Sequence, residues 1–324
     1  MSSDAANASC WVIHDGAAGN ARQALALATA LELNPREIDL QLDPAWDWLA
    51  PRLQLGATRG MRDRHDQPIA PPWPAIAIGC GRRAALLTRC LRAWSRKQCF
   101  TVQILDPRIS PNHFDVVVAP QHDRLKGSNV IETLGAMHAI DDAWLAAGRM
   151  DFAQLGELPQ PRTAVLIGAS NAAVTLDDAY FLALHEALAR RYAGHGGSFL
   201  VSTSRRTPSA RSEFLRRQFS SWPGIFWGGP EHGANPYAGI LGWADRFIVS
   251  ADSVNMISEA CATGKPVHAF APVPVAGKIG RLLQSLISQS HLSALDAEAA
   301  IEPLRESTRV ADQIRRLWKR QLSR

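Results

Sequence analysis

Short runs of aliphatic and β-branched residues alternate along the chain with longer segments whose apolar positions recur at helical spacing. The first pattern predicts buried strands, and the second predicts amphipathic helices. Before residue 156 the predicted strands are Cys10–Ile13, Glu37–Leu42, Ala75–Ile78, Phe100–Leu105 and Phe114–Val118. The predicted helices of that part are Asn20–Leu33, Arg82–Lys97 and Asp141–Phe152, and part of the Pro/Trp/Arg-rich stretch 43–74 is expected to be a surface loop.

A stretch rich in Gly and Pro, residues 156–161, breaks the alternation, which then restarts. The strands predicted beyond it are Ala164–Ile167, Phe199–Val201, Gly224–Phe226, Arg246–Val249 and Val267–Phe270, with helices at Leu176–Arg191, Ala210–Phe219, Pro236–Gly242 and Ser253–Thr263. Strand–helix alternation is typical of parallel sheets covered by helices on both faces. We therefore predict two Rossmann-like α/β domains, 1–158 and 159–306, whose mostly parallel sheets face a central ligand cleft.

The last segment, 307–324, predicts one more helix. Val310, Ile314, Leu317 and Trp318 fall on one face of it, and six Arg and Lys residues surround them. Such a helix either packs back on a domain, here the N-terminal one, or lies on a membrane surface. Packing is the commoner outcome, and we favour it.

Composition supports a folded protein with two cores. The chain has 324 residues, of which 46% are hydrophobic and 20% charged, so disorder of the whole chain is excluded. No apolar run approaches the length of a membrane span, and the N-terminus lacks the layout of a signal peptide. We expect a cytoplasmic protein. The five cysteines form no C-x-x-C pair and the histidines have no metal-ligand spacing, so we expect neither a metal nor a cofactor.

The net charge of +5 is concentrated in a basic block between Arg52 and Lys97. Its cations are Arg52, Arg59, Arg62, Arg64, Arg82, Arg83, Arg89, Arg92, Arg96 and Lys97, and only Asp63 and Asp66 oppose them within the block. The block indicates either an anionic partner, such as a phosphate group, an acidic membrane surface or nucleic acid, or simply a solvated helix face. We expect no nucleic acid.

Four predicted strand ends carry polar, turn-forming residues. The first is the turn 14–20, where Asp15 could act as a general base towards a hydroxyl group. Gly16 and Gly19 permit tight turns before a helix N-terminus, which attracts anions. The alternative role for Asp15 is that of an ordinary turn or capping aspartate.

The second and third strand ends suggest a diphosphate site. Ser170 and Asn171 follow one strand, and Thr203, Ser204, Arg205 and Arg206 follow the next. Arginine forks bind phosphate in a bidentate manner, and the hydroxyl groups supply further hydrogen bonds. The alternative is a capped loop with two solvated arginines.

The fourth strand end is the most informative. Asp252 or Ser253 can cap the helix that follows, and Asn255 and Glu259 lie on the same helix face as Asp252. A carboxylate two turns into such a helix could reach past the phosphates and accept hydrogen bonds from ribose hydroxyls. The alternative is an amphipathic helix with a solvated glutamate.

A competing pattern occurs at Gly79–Ala84. It matches the G-x-G-x-x-G/A dinucleotide fingerprint after a predicted strand, with Asp106 at the end of the next strand. Arg82 and Arg83 lie inside this loop and could instead contact an anionic acceptor. An NAD(P)-dependent enzyme is thus one alternative.

Longer segments resemble the mitochondrial-fission ELM family, and within it the bacterial branch. They are Asp15-Gly-Ala-Ala-Gly19 with Gln23, Gly81-Arg-Arg83, Asp106–Asn112, Phe114–Leu125, Asn129–Met137, Thr203–Pro208, Asn235-Pro-Tyr237 and Ala251–Ala260. The strand, polar turn and Glu-bearing helix also resemble the donor-binding half of GT-B glycosyltransferases. The resemblance implies a GT-B-like fold, with nucleotide held by the second domain and acceptor by the first.

On these grounds the sequence predicts a metal-independent glycosyltransferase. Its expected partners are a nucleotide-sugar donor and an anionic envelope glycolipid or similar acceptor, at the inner face of a membrane. A catalytically silent, membrane-associated scaffold of the same family is the other alternative.

Overall fold

The computed structural model describes residues 8–192 and 196–323. Residues 1–7, part of the segment inspected for a signal peptide, and Arg324, the end of the last predicted helix, lie outside these ranges. The chain forms two compact units. The first runs to Ala139 and also includes the segment from Glu306 onwards, and the second is Ile140–Arg305.

The first unit contains a seven-stranded sheet. Along the chain its elements are β1 (Cys10–His14), α1 (Ala18–Ala30), β2 (Pro35–Leu42), α2 (Pro44–Leu49), β3 (Met61–Asp63), β4 (Ile76–Cys80), α3 (Arg82–Trp94), β5 (Phe100–Ile104), β6 (Val116–Pro120) and β7 (Val130–Thr133). The strand order is β3-β2-β1-β4-β5-β6-β7, and every neighbouring pair is parallel except β2 and β3.

The second unit contains a five-stranded, all-parallel sheet in the order β10-β9-β8-β11-β12. Its elements are α4 (Asp142–Asp151), β8 (Arg162–Ile167), α5 (Asp178–Tyr192), β9 (Ser198–Thr203), α6 (Ser209–Phe219), β10 (Gly224–Trp227), α7 (Tyr237–Trp243), β11 (Arg246–Ser250), α8 (Val254–Cys261), β12 (Val267–Phe270) and α9 (Gly277–Ser288). The prediction of two mostly parallel α/β sheets is confirmed.

Alternating strand residues build a core on each face of the first sheet. Val12 of β1 packs with α1, whereas Ile13 packs with α3 on the opposite face. The last helix, α10 (Ser307–Leu322), covers the α1 side, where its apolar face is buried and Trp318 stacks on Phe100 with ring centroids 6.2 Å apart. The apolar stripe predicted for this helix is thus used in packing.

The second unit begins earlier than the Gly/Pro stretch at 156–161. Helix α4 packs so closely on α7 that a Cβ atom added to Gly148 would lie only 2.5 Å from the carbonyl oxygen of Ala238. This close approach attaches α4 to the second unit. No helix in the described part of the chain is long and apolar enough to cross a membrane.

Candidate functional site

The turn after β1 holds Asp15 in a defined position. Its Oδ1 atom accepts hydrogen bonds from the Asn20 side chain (2.9 Å) and from the backbone N–H of Ala17 (3.2 Å). Among the residues that the structure describes, no donor is bonded to Oδ2. Asp15 is half-buried, so one carboxylate oxygen is fixed while the other is available to a substrate.

His14, the neighbour of Asp15, is engaged at both ring nitrogens. The Gly16 N–H donates to Nδ1 (3.1 Å), which fixes that nitrogen as an acceptor, and Nε2 therefore carries the proton and donates to Glu37 Oε1 (2.8 Å). His14 is buried as well. Asp15 is thus better placed than His14 to receive a proton from a ligand.

Two glycines of this region leave room for neighbouring side chains. Gly16 has a φ of +76°, and a Cβ atom there would lie 3.0 Å from Asp39 Oδ1. Gly81 has a φ of +88°, and its Cβ atom would lie 2.6 Å from Asn20 Nδ2, the donor to Asp15. Gly81, the second glycine of the dinucleotide-like pattern at Gly79–Ala84, is therefore needed to leave room for the Asn20 side chain. Gly19 lies in the first turn of α1.

Arg82 and Arg83 both bind Asp47. Arg83 forms a fork of 2.8 and 2.6 Å with the two carboxylate oxygens, and Arg82 donates to Oδ1 at 2.6 Å. Hydrogen bonding from Arg83 holds the pKa of Asp47 below its usual range. Hydrogen bonding to Asp47 raises the pKa of Arg83, and the charge of Asp15 adds a smaller contribution. Asp47 thus neutralises one of these two cations, and Asp15 lies close enough to act on Arg83.

In the second unit, Asp252 joins the ends of β8 and β11. Its Oδ2 atom accepts from the Ala169 N–H (2.9 Å), and its Oδ1 atom accepts from the Ser250 hydroxyl (2.5 Å), which in turn accepts from the Gly168 N–H (2.8 Å). A Cβ atom on Gly168 would lie only 2.0 Å from Asp252 Oδ2. Asp252 therefore holds the turns after β8 and β11 together, and we call this arrangement the Asp252 clamp.

Burial dominates the electrostatics of Asp252. Desolvation raises the pKa of its carboxyl group, and this is opposed by the Ser250 hydroxyl, the Ala169 N–H and the charge of Arg206. The Thr207 hydroxyl donates to the carbonyl oxygen of Gly168 (2.9 Å), which ties the turn after β9 to the turn after β8. Three of the four sequence-predicted strand ends thus converge at the carboxyl edge of this sheet.

The turns after β8 and β9 are internally braced. Ser170 Oγ accepts from the Leu176 N–H (2.8 Å), and the Asn171 side chain donates to the backbone oxygen of Asp252 (3.0 Å). Ser204 accepts from the Arg206 N–H (3.2 Å). The Thr203 hydroxyl is enclosed and has no hydrogen-bond partner in the described structure. This leaves Arg205 and Arg206, both exposed and without an ion pair among the described residues, as the accessible cations.

Helix α8 carries the remaining predicted residues. Ser253 is its N-cap and accepts from the Met256 N–H (3.3 Å), and Asn255 lies half-buried in the first turn. Glu259 is only 6% exposed, so it is not the solvated residue of an ordinary amphipathic helix. Its Oε2 atom accepts a 2.5 Å hydrogen bond from the Tyr237 hydroxyl at the start of α7.

Tyr237 was not identified as a site residue from the sequence. It is one of three tyrosines in the chain and belongs to the segment Asn235-Pro-Tyr237, which carried part of the family resemblance. That membership was the available signal, but the chain between residues 237 and 259 includes strand β11, so their contact could not be inferred.

The positive charge of the basic block is neutralised to a greater extent than its sequence suggests. Aspartates from outside the block pair with it: Asp43 with Arg62, Asp39 with Arg64, Asp47 with Arg82 and Arg83, and Asp115 with Arg92. Arg89 donates to the carbonyl oxygens of Pro51 and Arg52. Counting only the two acids inside the block therefore overestimated its free charge.

A family model and a curated relative both assign the chain to the same family. The family model described as Mitochondrial fission ELM1 matches residues 18–318. The mitochondrial fission protein ELM1 of Arabidopsis thaliana is 32% identical over 278 residues, which is 75% of this chain and 64% of that protein. The matched part of this chain therefore covers less than two thirds of the length of this curated relative.

Two solved structures share the fold at low sequence identity. The UDP-GlcNAc 2-epimerase of Methanocaldococcus jannaschii has a TM-score of 0.55 and 12% identity, with 96% of this chain and 99% of that chain covered. A variant of Os79 from O. sativa, in complex with UDP, has a TM-score of 0.52 and 13% identity, with 96% and 94% covered. The fold is GT-B-like, as the resemblance implied.

Proposed function

The chain belongs to the mitochondrial fission ELM1 family, and we propose that it is a GT-B-type glycosyltransferase that uses a nucleoside diphosphate sugar as donor. The observation that carries this proposal is the Glu259–Tyr237 pair beside the Asp252 clamp. A carboxylate has two oxygens with about four lone-pair sites, so it can accept bonds from a tyrosine hydroxyl and also from the vicinal hydroxyls of a ribose.

The diphosphate would be bound by the accessible cations of the turn after β9 and by the N-terminus of α8. Arg205 and Arg206 would each offer a guanidinium fork to the phosphate oxygens. The helix N-terminus adds backbone N–H donors and the positive end of its dipole. As the bond to the sugar breaks, these groups would stabilise the growing charge on the leaving nucleoside diphosphate. Ser170, Asn171, Ser253 and Asn255 would shape the site, and Thr203 could join only if its enclosed side chain rotated.

Asp15 would act as the general base. Its free Oδ2 atom would accept the proton of the acceptor hydroxyl while that oxygen attacks the anomeric carbon of the sugar. Asn20 and the Ala17 N–H, both bonded to Oδ1, would hold the carboxylate in orientation. The bond from the sugar to the nucleoside diphosphate breaks in the same step.

We further propose an anionic acceptor, such as an envelope glycolipid reached from the inner face of a membrane. The guanidinium groups of Arg82 and Arg83 and the backbone N–H groups around Gly16 and Gly19 would donate hydrogen bonds to its anionic group.

A thermal-shift panel tests the proposal, because a ligand that binds only the folded state raises the melting temperature. UDP, GDP, ADP, CMP and NAD are each added to the wild-type chain without metal. A rise with a nucleoside diphosphate and none with NAD is expected. Stabilisation by NAD alone, lost in Gly81→Ala, would favour the dinucleotide alternative, and no response to any nucleotide would favour a non-catalytic scaffold.

A further inference from the structure

An open pocket of about 450 Å³ lies at the amino-terminal end of β5, in the unit that contains α10. Strand β5 starts at Phe100, so the pocket is at the opposite edge of the sheet from the Asp15 turn. Three cations line it: Arg92 from α3, Lys97 from the segment after α3, and Arg320 from α10. It takes no part in the function proposed above.

The single carboxylate of the pocket is already satisfied. Asp115 accepts two 2.8 Å hydrogen bonds, from the backbone N–H and the hydroxyl of Thr101, and one of 3.0 Å from Arg92. Within residues 8–192 and 196–323, neither Lys97 nor Arg320 is paired with a carboxylate. The pocket therefore has an excess of positive charge that no described side chain neutralises.

The local backbone is held so that Lys97 lines the pocket. Arg96 and Lys97 both have left-handed backbone conformations, with φ values of +52° and +65°, which are unfavourable for residues other than glycine. The Gln321 side chain of α10 donates to the carbonyl oxygen of Lys97 at 2.9 Å and so ties this segment to the helix. The cations of α3 and α10 are thus held around one cavity.

The pocket also has an apolar part. Leu317, which is half-buried, and the edge of Phe100, which is 2% exposed and stacks on Trp318, line it. An inorganic ion alone would leave this apolar surface and much of the volume unused, whereas a phosphate with an attached organic group would use both. Cavities of roughly 300–1,000 Å³ are usual for small-molecule ligands.

We propose that this pocket binds a phosphate monoester, with the phosphate between Arg92, Lys97 and Arg320 and the organic group against Phe100 and Leu317. A phosphate dianion matches the surplus charge, and both arginines can offer fork geometry. The same chemistry is found in a soluble phosphate ester and in the headgroup of a phospholipid such as phosphatidic acid.

The test uses two probes and two matched double variants of the full chain. Glycerol 3-phosphate is titrated calorimetrically, and sedimentation is measured with phosphatidylcholine vesicles that contain or lack phosphatidic acid. One variant is K97Q/R320Q, which removes two pocket cations. The other is R316Q/K319Q, which removes two exposed cations of the same helix α10 that do not line the pocket. Both variants lose the same net charge.

We expect K97Q/R320Q to weaken binding by about tenfold or more, since charge-assisted hydrogen bonds are lost, and R316Q/K319Q to change it by less than about threefold. This pattern with glycerol 3-phosphate identifies a soluble ester, and the same pattern with phosphatidic acid vesicles alone identifies a lipid headgroup. Equal losses in the two variants, no loss in K97Q/R320Q, or no binding of either probe would overturn the proposal. If K97Q/R320Q fails to fold, Lys97→Gln takes its place, because the Lys97 side chain is exposed.

Discussion

Replacing Glu259 by Gln tests the assignment of a ribose-binding carboxylate. The substitution keeps the size and the helix propensity of the side chain, and the amide oxygen can still accept the bond from Tyr237. What is lost is the negative charge of the carboxylate, and the second oxygen becomes an amide nitrogen, which donates to a ribose hydroxyl instead of accepting from it. The packing of α8 should be unaffected, because its core residues Ile257 and Cys261 are unchanged.

The expected magnitude follows from the charge on the acceptor. A hydrogen bond to a charged group contributes about 1.5–3 kcal/mol, and a neutral one about 0.5–1.5 kcal/mol. The loss of charge at one ribose contact thus costs about 1–1.5 kcal/mol, and about 1.4 kcal/mol corresponds to a tenfold change in affinity. We expect the Kd of a nucleoside diphosphate to rise about tenfold, and more if two ribose hydroxyls are bound.

Calorimetric titration with a nucleoside diphosphate and with inorganic pyrophosphate measures this effect. Glu259 is assigned to the ribose, so its substitution should leave the Kd of pyrophosphate nearly unchanged. Tyr237→Phe should weaken nucleotide binding in the same selective way, since it removes the hydroxyl that orients the carboxylate. Glu186→Gln, an exposed glutamate on α5, is the matched control and should change neither Kd. Equal weakening of both ligands in Glu259→Gln would show that the residue acts on the phosphates or through the helix, and the ribose assignment would be wrong.

Three further substitutions test other parts of the account. Asp15→Asn should lower turnover by roughly a hundredfold or more and leave nucleotide affinity intact, and unchanged turnover would remove Asp15 as the base. Gly168→Ala should lower the free energy of unfolding by about 1–3 kcal/mol, because its Cβ atom would collide with Asp252. Gly196→Ala is the control and should leave the free energy of unfolding unchanged, since no atom lies within 4 Å of the added Cβ atom. Equal effects of the two substitutions in denaturant melts would refute the clamp. Burial raises the pKa of Asp252, so the stability it contributes is present below its unfolded-state pKa and is lost as pH rises through its folded-state pKa. The stability of wild type relative to Asp252→Asn should therefore be greater at pH 4 than at pH 7.5, and a difference independent of pH would contradict this.

The fold could be predicted from the sequence wherever the hydrophobic pattern was long enough. Strands such as β4 and β8 are buried along their whole length, and such runs are recognisable without any knowledge of their neighbours. Strand β3 was missed because it has only three residues and pairs antiparallel at the sheet edge, inside the stretch expected to contain a loop. Strand β7 was missed because it has only four residues, of which two are buried.

The candidate site was predictable as a set of turns but not as a set of contacts. The position of Glu259 two turns into a capped helix follows from spacing alone, whereas its bond to Tyr237 depends on where the fold places the first residue of α7. The pairing of Arg82 and Arg83 with Asp47 likewise joins residues about 35 positions apart in the chain. Long-range contacts of this kind are set by tertiary packing, which the local pattern does not encode.

The central claim is that a nucleoside diphosphate binds at the carboxyl edge of the second sheet, around α8. Hydrogen–deuterium exchange of the full chain with and without the nucleoside diphosphate that gives the largest thermal shift tests it most directly, because bound backbone amides exchange more slowly. We predict slower exchange in residues 202–207 and 250–260, and no change at residues 79–84. Protection confined to residues 79–84, or no protection in either strand-end turn of the second unit, would contradict the claim.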